Sequence, residues 1–258
     1  MNFEKIHDLI GHIPFITEQN ARYIYELIIE KKIQDVLELG IGHGAAICYI
    51  AAALDELKRG TVTGVDLLEA ADMFMPSAEE LVQQFGLERY VEIYRMESGY
   101  NWFLHDKIAS QTKDNACEEC YDLCIIDGPK NWTIDGAAFF MVDKLLRKDG
   151  RLIFDDYDWT YSQAHETRDA TDGITHRGLS TEELTTPHIK EVVDLLVLQH
   201  PNYGKLTMLN GTEWVIAEKV AAQRKVVELT RSLTLKECVH RLVMLLKETS
   251  YPKAVRKP

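Results

Sequence analysis

The sequence predicts a doubly wound α/β fold, and three observations carry that reading. Short β-rich runs alternate with helical patterns from position 35 to position 155, which implies a parallel sheet with helices on both faces. The stretch "GKLTMLNGTEWVIAEK" then reads as a hairpin of two strands around Asn210-Gly211, a strong turn signal. Glycines also follow basic helix ends, Gly60 after "ALDELKR" and Gly150 after "DKLLRK", as helix stops do. Together these predict a mostly parallel seven-stranded sheet finished by an antiparallel pair.

Taken in order, the parallel strands are "DVLEL" (35 to 39), "TVTGVD" (61 to 66), "YVEIY" (90 to 94), "YDLCIID" (121 to 127) and "RLIFD" (151 to 155). After a long polar stretch, "TPHIKEVVDLLVLQH" predicts one more helix before the hairpin. The domain is expected to span 1–219, with a helical extension over 220–258. In that extension Thr234 and Glu237 have capping-box spacing, and Leu235, Cys238, Val239, Leu242, Val243 and Leu246 share one helix face. Two uses of the stripe stay open: packing on its own domain, or a homodimer contact.

Composition narrows the function. A 258-residue chain with 46% apolar residues can bury a sizeable core, and its net charge of −12 disfavours a phosphate-tracking surface, so no nucleic-acid partner is expected. The N-terminus lacks a basic segment followed by an apolar one, and no apolar run approaches a membrane span of ~20 residues. A cytoplasmic protein without membrane contact is expected. Five cysteines are an odd, sparse set that makes a poor disulfide framework. Cys117 and Cys120 have C-x-x-C spacing but no second pair, and Cys124 falls in a strand pattern, so ordinary thiols are expected.

In a doubly wound sheet, ligands bind beyond the carboxyl ends of the strands. The first such end is "LELGIGHGAA", where Gly40, Gly42 and Gly44 let the backbone turn tightly and approach a ligand. Asp66 ends the second strand, placed to accept hydrogen bonds from ribose hydroxyls. Both features suit an adenosine-containing cofactor. The loop also satisfies G-x-G-x-x-A through Gly40, Gly42 and Ala45, a pattern that nicotinamide dinucleotide sites share.

Glu38 ahead of these glycines gives E-x-G-x-G-x-G, which resembles the first motif of the class I S-adenosylmethionine-dependent methyltransferases, a Rossmann-like family with a finishing hairpin. The resemblance implies cofactor contacts from Glu38, Gly40, Gly42, Gly44 and Asp66, and from Glu97 and Ser98 in "MESGYNW" after strand three. It sharpens at "YDLCIIDGPKNW" and "LLRKDGRLIFDDYDW", which look like later motifs of the metal-dependent O-methyltransferases related to the catechol, caffeoyl-CoA and macrocin enzymes. By that resemblance Asp127, Asp155 and Asp156 hold a divalent cation, Mg²⁺ or similar, with Asp127 also at the cofactor. The adjacent Asp-Asp pair matches the macrocin branch, whereas the catechol branch has Asp-Asn.

Lys130 lies where the catechol branch carries a lysine, which implies a general base acting on a small-molecule hydroxyl. The polar stretch from Trp159 to Pro187 is longer than ordinary connections and reads as a substrate-covering loop. Tyr157, Trp159, Tyr161, His165 and His176 are acceptor-contact candidates without assigned chemistry, and Asp158 has no assigned role. The reading is an O-methyltransferase; an NAD(P)-dependent oxidoreductase and a metal-independent methyltransferase are the alternatives. An oxidoreductase would leave the aspartates without a purpose, and no hydride-transfer constellation is evident.

Overall fold

The computed structural model describes residues 1–163 and 178–223, which lie within one compact unit, Met1–Arg224. His165, His176 and the amphipathic helix expected over the C-terminal extension fall outside the described residues.

Seven strands form one sheet: β1 (Asp35–Leu39), β2 (Thr61–Leu67), β3 (Val91–Met96), β4 (Tyr121–Ile126), β5 (Leu146–Phe154), β6 (Tyr203–Met208) and β7 (Val215–Lys219). Their order is β3-β2-β1-β4-β5-β7-β6, with β7 antiparallel to both of its neighbours and the other pairings parallel. The expected fold class is therefore what the chain adopts. The hairpin is also where the sequence places it, with Gly211 at φ +79° and Leu209 N–H donating to the Trp214 carbonyl at 2.9 Å.

Alternation along the central strands makes the two layers. Val36, Leu123 and Ile125 face the helices Glu18–Lys31 and Ala45–Leu57, where they pack with Ile24, Ile28, Ile47 and Ile50. Leu37, Leu39, Cys124 and Ile126 face the opposite way. They pack with Phe103, Leu104, Phe139, Val142 and Val192 of the helices Tyr100–Gln111, Trp132–Leu145 and His188–Val192. Both faces are thus dry, and only the strand ends are left for polar chemistry.

Two helix stops differ from the sequence reading. The helix Ala45–Leu57 ends at Lys58, itself left-handed at φ +56°, while Gly60 serves the entry into β2, where a Cβ would overlap the Gln34 carbonyl. Gly150 lies inside β5; its helix has already ended at Leu145, and Asp149 takes the left-handed conformation at φ +68°. Basic residues before a glycine marked the neighbourhood of each stop, but the first helix closes on the left-handed Lys58 and the second on the extended Leu146.

Candidate active site

The sheet's strand order reverses between β1 and β4, which opens a crevice beyond their carboxyl ends. Register fixes what stands there. Leu39 pairs with Val65 and Ile126, and Ile126 pairs with Phe154, so the next residue on each strand falls in one row: Asp66, Gly40, Asp127 and Asp155. The parallel ladder continues through this row. Gly40 N–H donates to Val65 O at 2.8 Å, Asp127 N–H to Leu39 O at 2.8 Å and Asp155 N–H to Ile126 O at 3.2 Å. Three of the four residues are acids, held by backbone bonds at one edge.

Gly40, Gly42 and Gly44 all have positive φ, +84°, +49° and +79°. Gly40 has a second reason to be glycine, since a Cβ there would overlap the Asp127 carbonyl. Asp66 orders this loop: its Oδ2 accepts from Ile41 and Gly42 N–H, each at 2.9 Å, while Oδ1 accepts from Leu67 N–H at 2.7 Å. Glu38 lies beneath the loop on β1, only 2% exposed, with no hydrogen-bond partner for its Oε2 among the described residues. Burial pushes its pKa well above the ordinary carboxyl value, and the nearby Asp66 and Asp155 push it further against the pull of Lys130. Glu97 and Ser98 are exposed just past β3, two strands away from Gly40.

Asp127, Asp155 and Asp156 each offer an oxygen within 4.8 Å of the others, the one such group of potential ion ligands among the described residues. The Lys130 ammonium sits among them, bonded to Asp127 Oδ1, 3.3 Å from Asp156 Oδ2 and 3.9 Å from Asp155 Oδ2. Lys130 is only 3% exposed. Burial alone would favour the neutral amine, but three facing carboxylates outweigh it and raise the lysine pKa. The positive charge that makes the aspartate cluster tolerable in this structure is therefore a lysine. Lys130 (φ +59°) and Asp156 (φ +58°) both occupy the left-handed region, a cost of order 1 kcal/mol or more each that the surrounding bonds must hold in place.

None of the described cysteines belongs to this cluster of potential ion ligands. Cys124 is fully buried in β4, and burial pushes the Cys120 thiol up to about 11, away from the thiolate that metal or redox work requires. Asp158 is exposed and 3.5 Å from Lys190. Tyr157 donates its hydroxyl to Asp194 at 3.1 Å, and Trp159 meets Tyr161 edge-on.

Sequence reasoning passed over Asn131, Asp135, Tyr100 and His188, which hold the turn carrying Lys130. Asn131 caps the helix Trp132–Leu145 through Thr133 and Ile134 N–H, and Asp135 Oδ2 accepts from Asn131 N–H at 2.6 Å. Tyr100 donates its hydroxyl to Asp135 Oδ1. An asparagine before a helical pattern is a readable cap signal in "KNWTID". His188 and Tyr100 carry none, since their partners lie far away in sequence.

Residues 37–157, just under half of the chain, match the family model described as a methyltransferase domain. No curated protein matches the sequence. Among solved structures, the chain is similar to an O-methyltransferase from Bacillus cereus in complex with S-adenosylhomocysteine, at 16% identity and TM-score 0.54 over 84% of this chain and 90% of that one. It is similar to the O-methyltransferase TomG from Streptomyces achromogenes, with S-adenosylmethionine bound, at 13% identity and TM-score 0.54 over 84% and 87%. A third is the S-adenosylhomocysteine-bound methyltransferase PaMTH1 of Podospora anserina, at 11% identity and TM-score 0.57 over 84% and 86%. At such identities the structures establish a shared fold. With the family match over residues 37–157, the resemblance to methyltransferases seen in the sequence is borne out. Among the described residues, no helix is long and apolar enough to cross a membrane.

Proposed function

We propose that the protein transfers the methyl group of S-adenosylmethionine to a hydroxyl oxygen of a small molecule, with a divalent cation such as Mg²⁺ held by Asp127, Asp155 and Asp156. The observation that carries this reading is the row of Asp66, Gly40, Asp127 and Asp155 at the sheet's switch point, which sets a glycine-lined cradle beside a carboxylate triad. The donor set fits such an ion, because all-oxygen carboxylate ligands suit a hard cation. The cradle fits a ligand as well, for Glu38 leaves a buried oxygen without a partner beneath it. Similar folds with S-adenosylmethionine or S-adenosylhomocysteine bound support the choice of cofactor.

In the proposed reaction an acceptor oxygen attacks the methyl carbon in line as the carbon–sulfur bond breaks, leaving S-adenosylhomocysteine, so the protein contributes position and charge. Asp66 fixes the glycine loop and meets the ribose, and Glu97 and Ser98 stand on the adenine side. When bound, the ion supplies the positive charge that offsets the carboxylates and acidifies an acceptor hydroxyl. Lys130 is assigned the acceptor's proton at Nζ, a role open to it only once the carboxylates no longer hold it as an ammonium. A second reading, methyl transfer without a metal, draws on that same lysine, which already partners all three carboxylates. The test is transfer of isotopically labelled methyl groups to a panel of sugars, phenols and polyketide-type alcohols. Labelled product from a hydroxylated acceptor is expected, and labelling confined to nitrogen or carbon acceptors would contradict the oxygen assignment.

Asp66→Ala removes the acceptor of two loop N–H groups and the expected ribose contact. S-adenosylmethionine affinity should fall by ~1 to 3 kcal/mol, measured by calorimetry on the folded variant. Unchanged affinity would take Asp66 out of the site.

A further inference from the structure

The turn from Asp127 to Asn131 is gripped from two sides, and only one of them belongs to the helix that follows it. On the core side, Asp135 and Tyr100 hold Asn131, as described above. On the other side, Tyr161 donates its hydroxyl to Pro129 O at 2.8 Å, one residue before Lys130. His188 Nδ1 accepts from Trp132 N–H at 3.1 Å, two residues after it. His188 Nε2 lies 2.9 Å from Glu183 O, a carbonyl that only accepts, so the ring is the Nε2–H tautomer with a bare Nδ1. Tyr161 and His188 are 7% and 6% exposed and meet edge-on at 5.3 Å. They stand near the two ends of the long polar stretch after β5.

Trp132 N–H is an orphan donor at a helix N-terminus. Asn131 satisfies the next two, and His188 satisfies this one. Lys130, in its left-handed conformation, is thus bracketed by a bonded carbonyl before it and a bonded N–H after it, the first bond coming from Tyr161 and the second from His188. A site residue is useful only if its neighbours hold it to within a fraction of an ångström, and a left-handed lysine relaxes wherever its flanking bonds are lost.

We propose that His188 and Tyr161 are positioning residues for the Asp127–Lys130 turn, holding the backbone on either side of the lysine. The inference rests on reading that turn as reactive, and its test separates the two ideas. Amide hydrogen exchange of Asn131 and Trp132 is followed in the full chain, with Ile126 in β4 as internal control, alongside Mn²⁺ affinity by calorimetry. In His188→Leu, Trp132 exchange should quicken by up to about tenfold, the worth of one lost hydrogen bond, and Mn²⁺ should bind more weakly. His188→Asn, whose amide oxygen can take the place of Nδ1, should restore both toward wild type. Tyr161→Phe should loosen Asn131 and leave the Ile126 amide unchanged, and it serves if His188→Leu does not fold. Trp132 exchange equal in wild type and His188→Leu, or equal disturbance by leucine and asparagine, would overturn the proposal and leave His188 a packing residue. Exchange that responds as expected in a protein that binds no Mn²⁺ would uphold the positioning role while refuting the metal reading.

Discussion

Chelation of divalent cations is expected to abolish turnover, and Mg²⁺ or Mn²⁺ to restore it. The reason is electrostatic: three carboxylates converge within 4.8 Å, and one ammonium leaves the group with excess negative charge. An acceptor hydroxyl brought to such a site would lose its proton less readily than in water, because nearby anions disfavour a new one. A dication reverses that sign. Asp127→Asn and Asp155→Asn keep the shape of the side chain and remove one unit of ligand charge each, so each should raise the metal concentration for half-activation by ~10-fold or more. Asp158→Asn is the control, since Asp158 pairs with Lys190 and lies outside the triad. Full activity in chelator would leave the aspartates as partners of Lys130 and make metal-independent transfer the better reading.

Lys130→Met should lose ~10²-fold or more in turnover while keeping S-adenosylmethionine and Mn²⁺ binding, as removal of a general base does. Lys130→Arg should be similarly poor, because a guanidinium stays protonated and cannot take up the acceptor's proton. The same variants read out the lysine's second task. Without metal, Lys130→Met leaves three carboxylates facing each other with no cation, so its thermal stability should fall below wild type in chelator and recover on adding Mn²⁺. If both variants turn over at wild-type rates, Lys130 only neutralises charge, and the acceptor's proton leaves by another route.

Much of this site was legible in the sequence because it depends on local pattern. Strand ends show where apolar runs stop, and the acids at those ends, Asp66, Asp127 and Asp155, fall in one row once the strands pair in parallel register. What stayed hidden depends on contacts across the fold. The three-residue spacing of Asp127 and Lys130 was visible, but not that a left-handed backbone turns the amine back onto all three carboxylates. Glu38 was read as a cofactor contact from its motif, whereas its burial and unpartnered oxygen appear only when β1 is covered on both sides. His188 looked like one more residue of a predicted helix, and its hydrogen bond to Trp132 spans 56 positions.

On the proposed function, the glycine cradle at the β1–β4 switch point holds S-adenosylmethionine. The most direct measurement is a calorimetric titration of the purified protein with S-adenosylmethionine, S-adenosylhomocysteine and a nicotinamide dinucleotide, after mass spectrometry of any small molecule that co-purifies. Saturable binding of the two sulfur nucleosides, weakened in Asp66→Ala, with no heat from the dinucleotide, is the expected result. Binding of the dinucleotide in their place would contradict it.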